Sequence, residues 1–132
     1  MPDKQETNSK TGYRKMSHYI LLVKGGTGLL LHKLNGDGRR AYFNKWKKWL
    51  RSLKQKGCLV TGSPLVTEGT ALYHSGETIA VPDNYDLASE TITGFCVIEA
   101  ESQDHADRIL ISCPFLQDEF TSCELRAYKT LS

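Results

Sequence analysis

The two longest runs of consecutive apolar residues in this chain are Tyr19-Ile20-Leu21-Leu22-Val23 and Phe95-Cys96-Val97-Ile98. Both are far shorter than the ~20 residues that span a membrane, and both are rich in β-formers, so each reads as a strand. Side chains of a strand alternate between the two faces of its sheet. A strand that is apolar at every position therefore needs cover on both faces. We expect Tyr19, Leu21, Val23, Phe95 and Val97 on one face, with helices covering only one side.

The helices are legible from their period. Over residues 39–56, Tyr42, Phe43, Trp46, Trp49, Leu50 and Leu53 fall at three- and four-residue steps and make one apolar stripe. Gly57 is placed to end that helix. Beyond it, Leu59-Val60 begins an extended stretch closed by Gly62-Ser63-Pro64. Thr70–His74 and Thr78–Val81 flank Ser75-Gly76-Glu77 as a hairpin, and a loop runs from Pro82 to Thr93. Gly94–Ala100 is the next strand. Ser102 caps a second helix, with Ala106, Ile109 and Leu110 on its buried face and Pro114 at its end. Ser122–Tyr128 closes the chain as a strand.

The order is strand, helix, strands, strand, helix, strand. It predicts an α+β fold, a ferredoxin-like sandwich in which an antiparallel sheet carries two helices on one face. A chain of 132 residues has room for one such core. We assign residues 17–132 to a single domain and residues 1–16 to a flexible polar arm. The uncovered sheet face calls for a second copy packed sheet to sheet, hence a homodimer.

Composition narrows the function classes. Residues 1–56 hold 14 basic and 3 acidic side chains, and the remainder hold 3 and 12. Helix 39–56 alone carries Arg39, Arg40, Lys45, Lys47, Lys48, Arg51, Lys54 and Lys56. Such a helix can dock an acidic partner, but no nucleic-acid-binding motif accompanies it, so nucleic acid is not an expected partner. The first 15 residues lack the apolar centre of a signal peptide, no segment is a membrane span, and a cytoplasmic location is expected.

Cys58, Cys96, Cys113 and Cys123 show no C-x-x-C spacing, so no metal site is expected. All four read as reduced, mostly buried thiols. In the expected strand order Cys96 and Cys123 stand two strands apart, roughly 9.5 Å, beyond the ~7 Å reach of a disulfide. Gly25-Gly26-Thr27-Gly28 follows a strand but lacks the Gly-Lys-Ser/Thr ending of a phosphate loop.

Four stretches, in this order and spacing, resemble the YCII-related family, including its DGPF-motif branch. They are Tyr19–Val23; Trp46-x-x-Trp49-x-x-x-Leu53-x-x-x-Gly57 with Gly62-x-Pro64-Leu65; Pro82-Asp83-Asn84-Tyr85 to Ser89-Glu90-x-x-x-Gly94-Phe95; and Cys113-Pro114-Phe115-Leu116 with Cys123-Glu124-Leu125-Arg126. The DGPF element stands here as Asp83-Asn84-Tyr85-Asp86, and Thr93 replaces the first Gly of a pair. The resemblance implies a dimeric α+β barrel with a small-molecule pocket between sheet and helices and an acid–base His–Asp pair. It implies no organic cofactor and fixes no reaction. Carried onto this chain, Asp83 is the candidate proton acceptor and His74 its partner. Tyr19, Trp46, Tyr85 and Glu90 are the candidate ligand-binding residues. The alternative is a non-catalytic dimeric regulatory module that uses the basic helix 39–56.

Overall fold

The computed structural model describes residues 16–66, 68–72, 74, 76, 78–81 and 90–129. Strands β1 (Ser17–Gly25), β2 (Leu59–Pro64), β3 (Gly69–Leu72), β4 (Thr78–Val81), β5 (Ile92–Ala100) and β6 (Thr121–Tyr128) alternate with helices α1 (Gly36–Gln55) and α2 (Gln103–Ile111). Short 3-10 segments cover Gly26–Lys33 and Pro114–Gln117. The main sheet is antiparallel in the order β2-β5-β1-β6, and β3 and β4 form a separate hairpin. Each helix therefore leads over one intervening strand, as the ferredoxin-like order requires. Apart from Met16, the arm assigned to residues 1–16 lies outside the described residues.

Helix α1 is longer at its start than the apolar stripe indicates. Asn35 caps it, its side chain accepting from the Gly38 N–H at 2.7 Å, and Asp37 in the first turn complements the helix dipole. The interior holds no β-branched residue and no Pro. At the other end Gly57 takes φ 79°. The Gly57 N–H donates to the Lys54 carbonyl and the Cys58 N–H to that of Leu53, the paired bonds of a glycine-terminated helix. Tyr42, Trp46, Trp49 and Leu53 are buried, while Phe43 sits at the stripe's border, more than a third exposed and edge-on to Tyr42.

Trp46, only 1% exposed, is the centre of the core. Its ring lies 4.8 Å from that of Phe115 and 5.7 Å from that of Trp49. Helix α2 is capped as expected, with the His105 N–H donating to the Ser102 hydroxyl at 3.1 Å, and it adds Ala106 and Ile109.

The register of the sheet corrects one expectation. Leu21 pairs with Cys96, Tyr19 with Ile98 and Val23 with Gly94; across β6, Val23 pairs with Cys123 and Leu21 with Leu125. The helix-covered face thus carries Tyr19, Leu21, Val23, Cys96, Ile98 and Ala100, all buried. Phe95 and Val97 lie with Ile20 and Leu22 on the other face, not with Tyr19, Leu21 and Val23. Leu22 sits opposite Phe95 and Ile20 opposite Val97, and all four are half-buried.

A register shift falls between Val23 and Lys24, leaving Thr93 as the extra residue on β5. The buried Thr93 hydroxyl donates to the Val23 and Gly25 carbonyls at 3.3 and 3.1 Å. This bulge turns the end of β1, and Lys24 follows it.

Candidate functional site

The second face of the sheet, uncovered by either helix, presents a strip of chemistry in register. Ile20, Leu22, Phe95 and Val97 form an apolar middle. At one end His18 Nε2 lies 3.2 Å from the Glu99 carboxylate, and its ring lies 5.6 Å from that of Tyr128. At the other end Lys24 Nζ donates to Glu90 at 2.9 Å and to Glu124 at 3.0 Å. Arg126 completes the group, donating to Glu124 at 2.8 Å.

Lys24 is the best-shielded member of that group, with its side chain 16% exposed. Hydrogen bonds to Glu90 and then to Glu124 raise its ammonium above the ordinary lysine value. The bonds from Arg126 and then Lys24 hold the Glu124 carboxyl below the usual carboxylate range. Lys24 and Glu124 are therefore both held in their charged forms, so they can orient a polar ligand, and neither is shifted toward neutrality as a general base would be.

The candidate residues that the structure describes stand apart from one another. Glu90 stands two residues before β5, exposed and tied to Lys24. His74 is exposed in the turn after β3 rather than at the end of a strand, since β3 stops at Leu72. Tyr19 and Trp46 are on the helix-covered side, Tyr19 5% exposed and both in the core cluster. Asp83 and Tyr85 lie outside the described residues. The layer between sheet and helices is filled by Trp46, Phe115, Leu21, Leu53, Ile98 and Val23, all essentially fully buried. Burial raises the Tyr42 phenol above its ordinary value. The indole N–H groups of Trp46 and Trp49 are buried with no hydrogen-bond partner among the described residues.

Lys24 was missing from the sequence-based candidates. Its partners lie 66 and 100 positions away, and only the alternation of β1 hints that it shares a face with Ile20 and Leu22. A second unforeseen feature is the approach of two thiols, Cys113 and Cys123, on the covered face. Among the described residues no group of three or more His, Cys, Asp or Glu side chains is arranged to hold a metal, and no helix is long and apolar enough to cross a membrane. On the outer side of α1, Ala41, Asn44, Lys45, Lys47, Lys48 and Arg51 line an open groove.

Fold order and one open sheet face define an α+β ferredoxin-like domain. The model of the YCII-related domain matches residues 17–129, and the chain belongs to that family. No curated protein sequence matches the chain.

Proposed function

We propose that this YCII-related protein is a homodimer, packed through the apolar middle of its uncovered sheet face, that binds a small molecule at the Lys24–Glu90 end of that face, with Asp83 as general base and His74 or Tyr85 assisting. The observation that supports this reading most is the Lys24–Glu90 contact. It fastens the end of the segment bearing Asp83 and Tyr85 to the edge of a half-buried apolar strip. Seven residues separate Asp83 from Glu90, a chain length of at most about 25 Å. The filled layer between sheet and helices favours the open face over that layer as the place for a ligand. Tyr19 and Trp46 then act from behind, fixing the strands that carry the strip.

The test is a thermal-shift and turnover screen of small polar metabolites on the wild-type protein, Asp83→Asn and His74→Ala. A compound that raises the wild-type melting temperature and loses its effect or its turnover in Asp83→Asn, with the unliganded melting temperature unchanged, supports the reading. A lowered melting temperature with binding and turnover intact makes Asp83 a structural residue and overturns it.

One observation favours a second reading, a regulatory module that docks a polyanion. Lys47, Lys48 and Arg51 line the α1 groove, and no ion pair engages them among the described residues. Binding of heparin or RNA that weakens steeply between low and moderate salt is its mark; absence of such binding at low salt removes it.

A further inference from the structure

Cys113 and Cys123 are brought together by three elements. Cys113 ends the α2 connection, immediately before Pro114, and is 3% exposed. Cys123 lies on β6 opposite Val23, half-buried on the helix side. Their sulfurs are 3.6 Å apart, close enough for the Cys123 thiol to donate to Cys113. The other two cysteines are placed differently. Cys58 is buried and donates to the Leu53 carbonyl at 3.4 Å, and Cys96 is fully buried in the sheet.

The surroundings of the pair are asymmetric. The Cys123 thiol and the Phe115 and Leu116 N–H groups hold Cys113 below the ordinary thiol value, opposed by burial and helped by the cationic Lys45. Lys45 is fixed nearby, 3.2 Å from Asp118 and 5.0 Å from the Phe115 ring centre. Cys123 is pushed up, first by its bond to Cys113 and then by burial. Burial likewise pushes Cys96 to about 12. The geometry sets two thiols in contact, and the Phe115 and Leu116 N–H groups with Lys45 favour Cys113 as the sulfur that reacts first and Cys123 as the one that resolves it.

We propose that Cys113 and Cys123 form a peroxide-sensitive dithiol that closes reversibly into an intramolecular disulfide. The Cys113 thiolate attacks one oxygen of a hydroperoxide; the O–O bond breaks, Cys113 becomes a sulfenic acid, and the displaced oxygen leaves as hydroxide or alkoxide. The Cys123 sulfur then attacks the sulfenic sulfur. The S–O bond breaks, the S–S bond forms, and the Cys123 proton leaves with the hydroxyl as water. Two thiols lose two electrons in all, and the peroxide gains them. Closure brings the sulfurs nearer by about 1.5 Å, to the ~2.05 Å of the bond, a movement within reach of side-chain rotation. Hydrogen peroxide is about the size of water, and Cys123 is only half-buried. A dithiol reductant reverses the step by exchange.

The experiment treats the reduced full-length protein with graded hydrogen peroxide, quenches it, and counts free thiols after denaturation alongside intact mass and peptide mapping. The expected result is loss of two of the four thiols, a mass lower by two hydrogens, a Cys113–Cys123 linked peptide, and full recovery with dithiothreitol. Cys58→Ser and Cys96→Ser variants that fold give the same crosslink; Cys123→Ser instead accumulates a sulfenic acid at Cys113 that dimedone traps. The peptide map of the wild-type chain decides the matter even if a variant fails to fold. Retention of all four thiols under peroxide that oxidises free cysteine overturns the proposal. So does a linkage involving Cys58 or Cys96, a linkage between chains, or over-oxidation of Cys113 without a crosslink.

Discussion

A methyl group added at Gly94 tests the packing at the centre of this fold. Gly94 sits in β5 opposite Val23, with Pro64 on its other side, and its Cβ would fall inside the indole of Trp46, on atoms Cζ2, Cη2 and Cε2. That ring has no room to retreat, because Phe115 and Trp49 pack against it. Gly94 has an ordinary strand φ, so backbone preference alone would make Ala slightly stabilising, by about 0.4–1 kcal/mol. Overpacking a filled core costs about 1–3 kcal/mol and more where backbone must shift. We expect Gly94→Ala to destabilise by about 3 kcal/mol. At roughly 3–5 °C per kcal/mol for a chain of this size, that lowers the melting temperature by about 10 °C. Gly69→Ala is the control, since nothing lies within 4 Å of the added atom there, and its melting temperature should hardly move. Trp46→Phe opens the space the methyl needs, so the double variant should recover at least ~1 kcal/mol relative to the sum of the single effects. Calorimetry or urea titration reads all four proteins. Equal stability of Gly94→Ala and Gly69→Ala, or strict additivity with Trp46→Phe, refutes the account.

Three further outcomes are expected. Asn35→Ala removes the acceptor for the Gly38 N–H and should cost about 0.5–2 kcal/mol in urea unfolding, whereas Asn35→Asp should retain most of the stability. Glu124 has a folded-state pKa below its unfolded value, so its contribution is present above the unfolded carboxyl pKa of ~4.3 and is lost as pH falls through the lower folded value. Glu124→Gln should therefore flatten the acid limb of a stability–pH curve below about pH 4, and an unchanged limb contradicts the Lys24–Glu124–Arg126 assignment. Val97→Glu, in the middle of the open face, should convert a sedimenting dimer into a monomer; a wild-type protein that sediments as a monomer counts against sheet-to-sheet assembly.

The elements were legible where one segment carries its own signal. The Trp46–Trp49–Leu53 spacing, the terminating Gly57 and the Ser102 cap each report on a few neighbouring residues, and the strand order follows from their succession. Register is different in kind. Whether Phe95 shares a face with Leu21 or with Leu22 depends on how β5 slides along β1, and a one-residue slip exchanges the faces. Both strands are apolar on both faces through their centres, so those stretches do not choose between the alternatives, and the bulge at Thr93 adds a further offset. The same limit hid the Lys24 cluster and the thiol pair. Ten residues separate Cys113 from Cys123, but the 3-10 segment and the turn to β6 fold them back together. For the candidate site, Glu90 was legible as a loop carboxylate, while its anchoring to Lys24 was not.

The charge split along the chain acquires a spatial meaning from these contacts. Lys24 and Lys45 come from the basic segment; Glu90, Glu124 and Asp118 come from the acidic one. The two segments therefore meet at two seams, one on the open sheet face and one where α1 passes the 3-10 segment after α2. Exposed pairs of this kind contribute little, about 0–1 kcal/mol, so they cannot be what holds the sandwich together; the Trp46-centred core does that. Their effect is positional. Lys24 draws Glu90 to the edge of the apolar strip, and Lys45 holds Asp118, which also accepts from the Thr27 hydroxyl at 3.1 Å. Lys47, Lys48 and Arg51, on the outer face of α1, take no part in either seam among the described residues. A single charge asymmetry in the sequence thus divides into two roles: a few ion pairs that place the segments flanking the sheet, and a cationic helix face on which Lys47, Lys48 and Arg51 meet no ion-pair partner among the described residues.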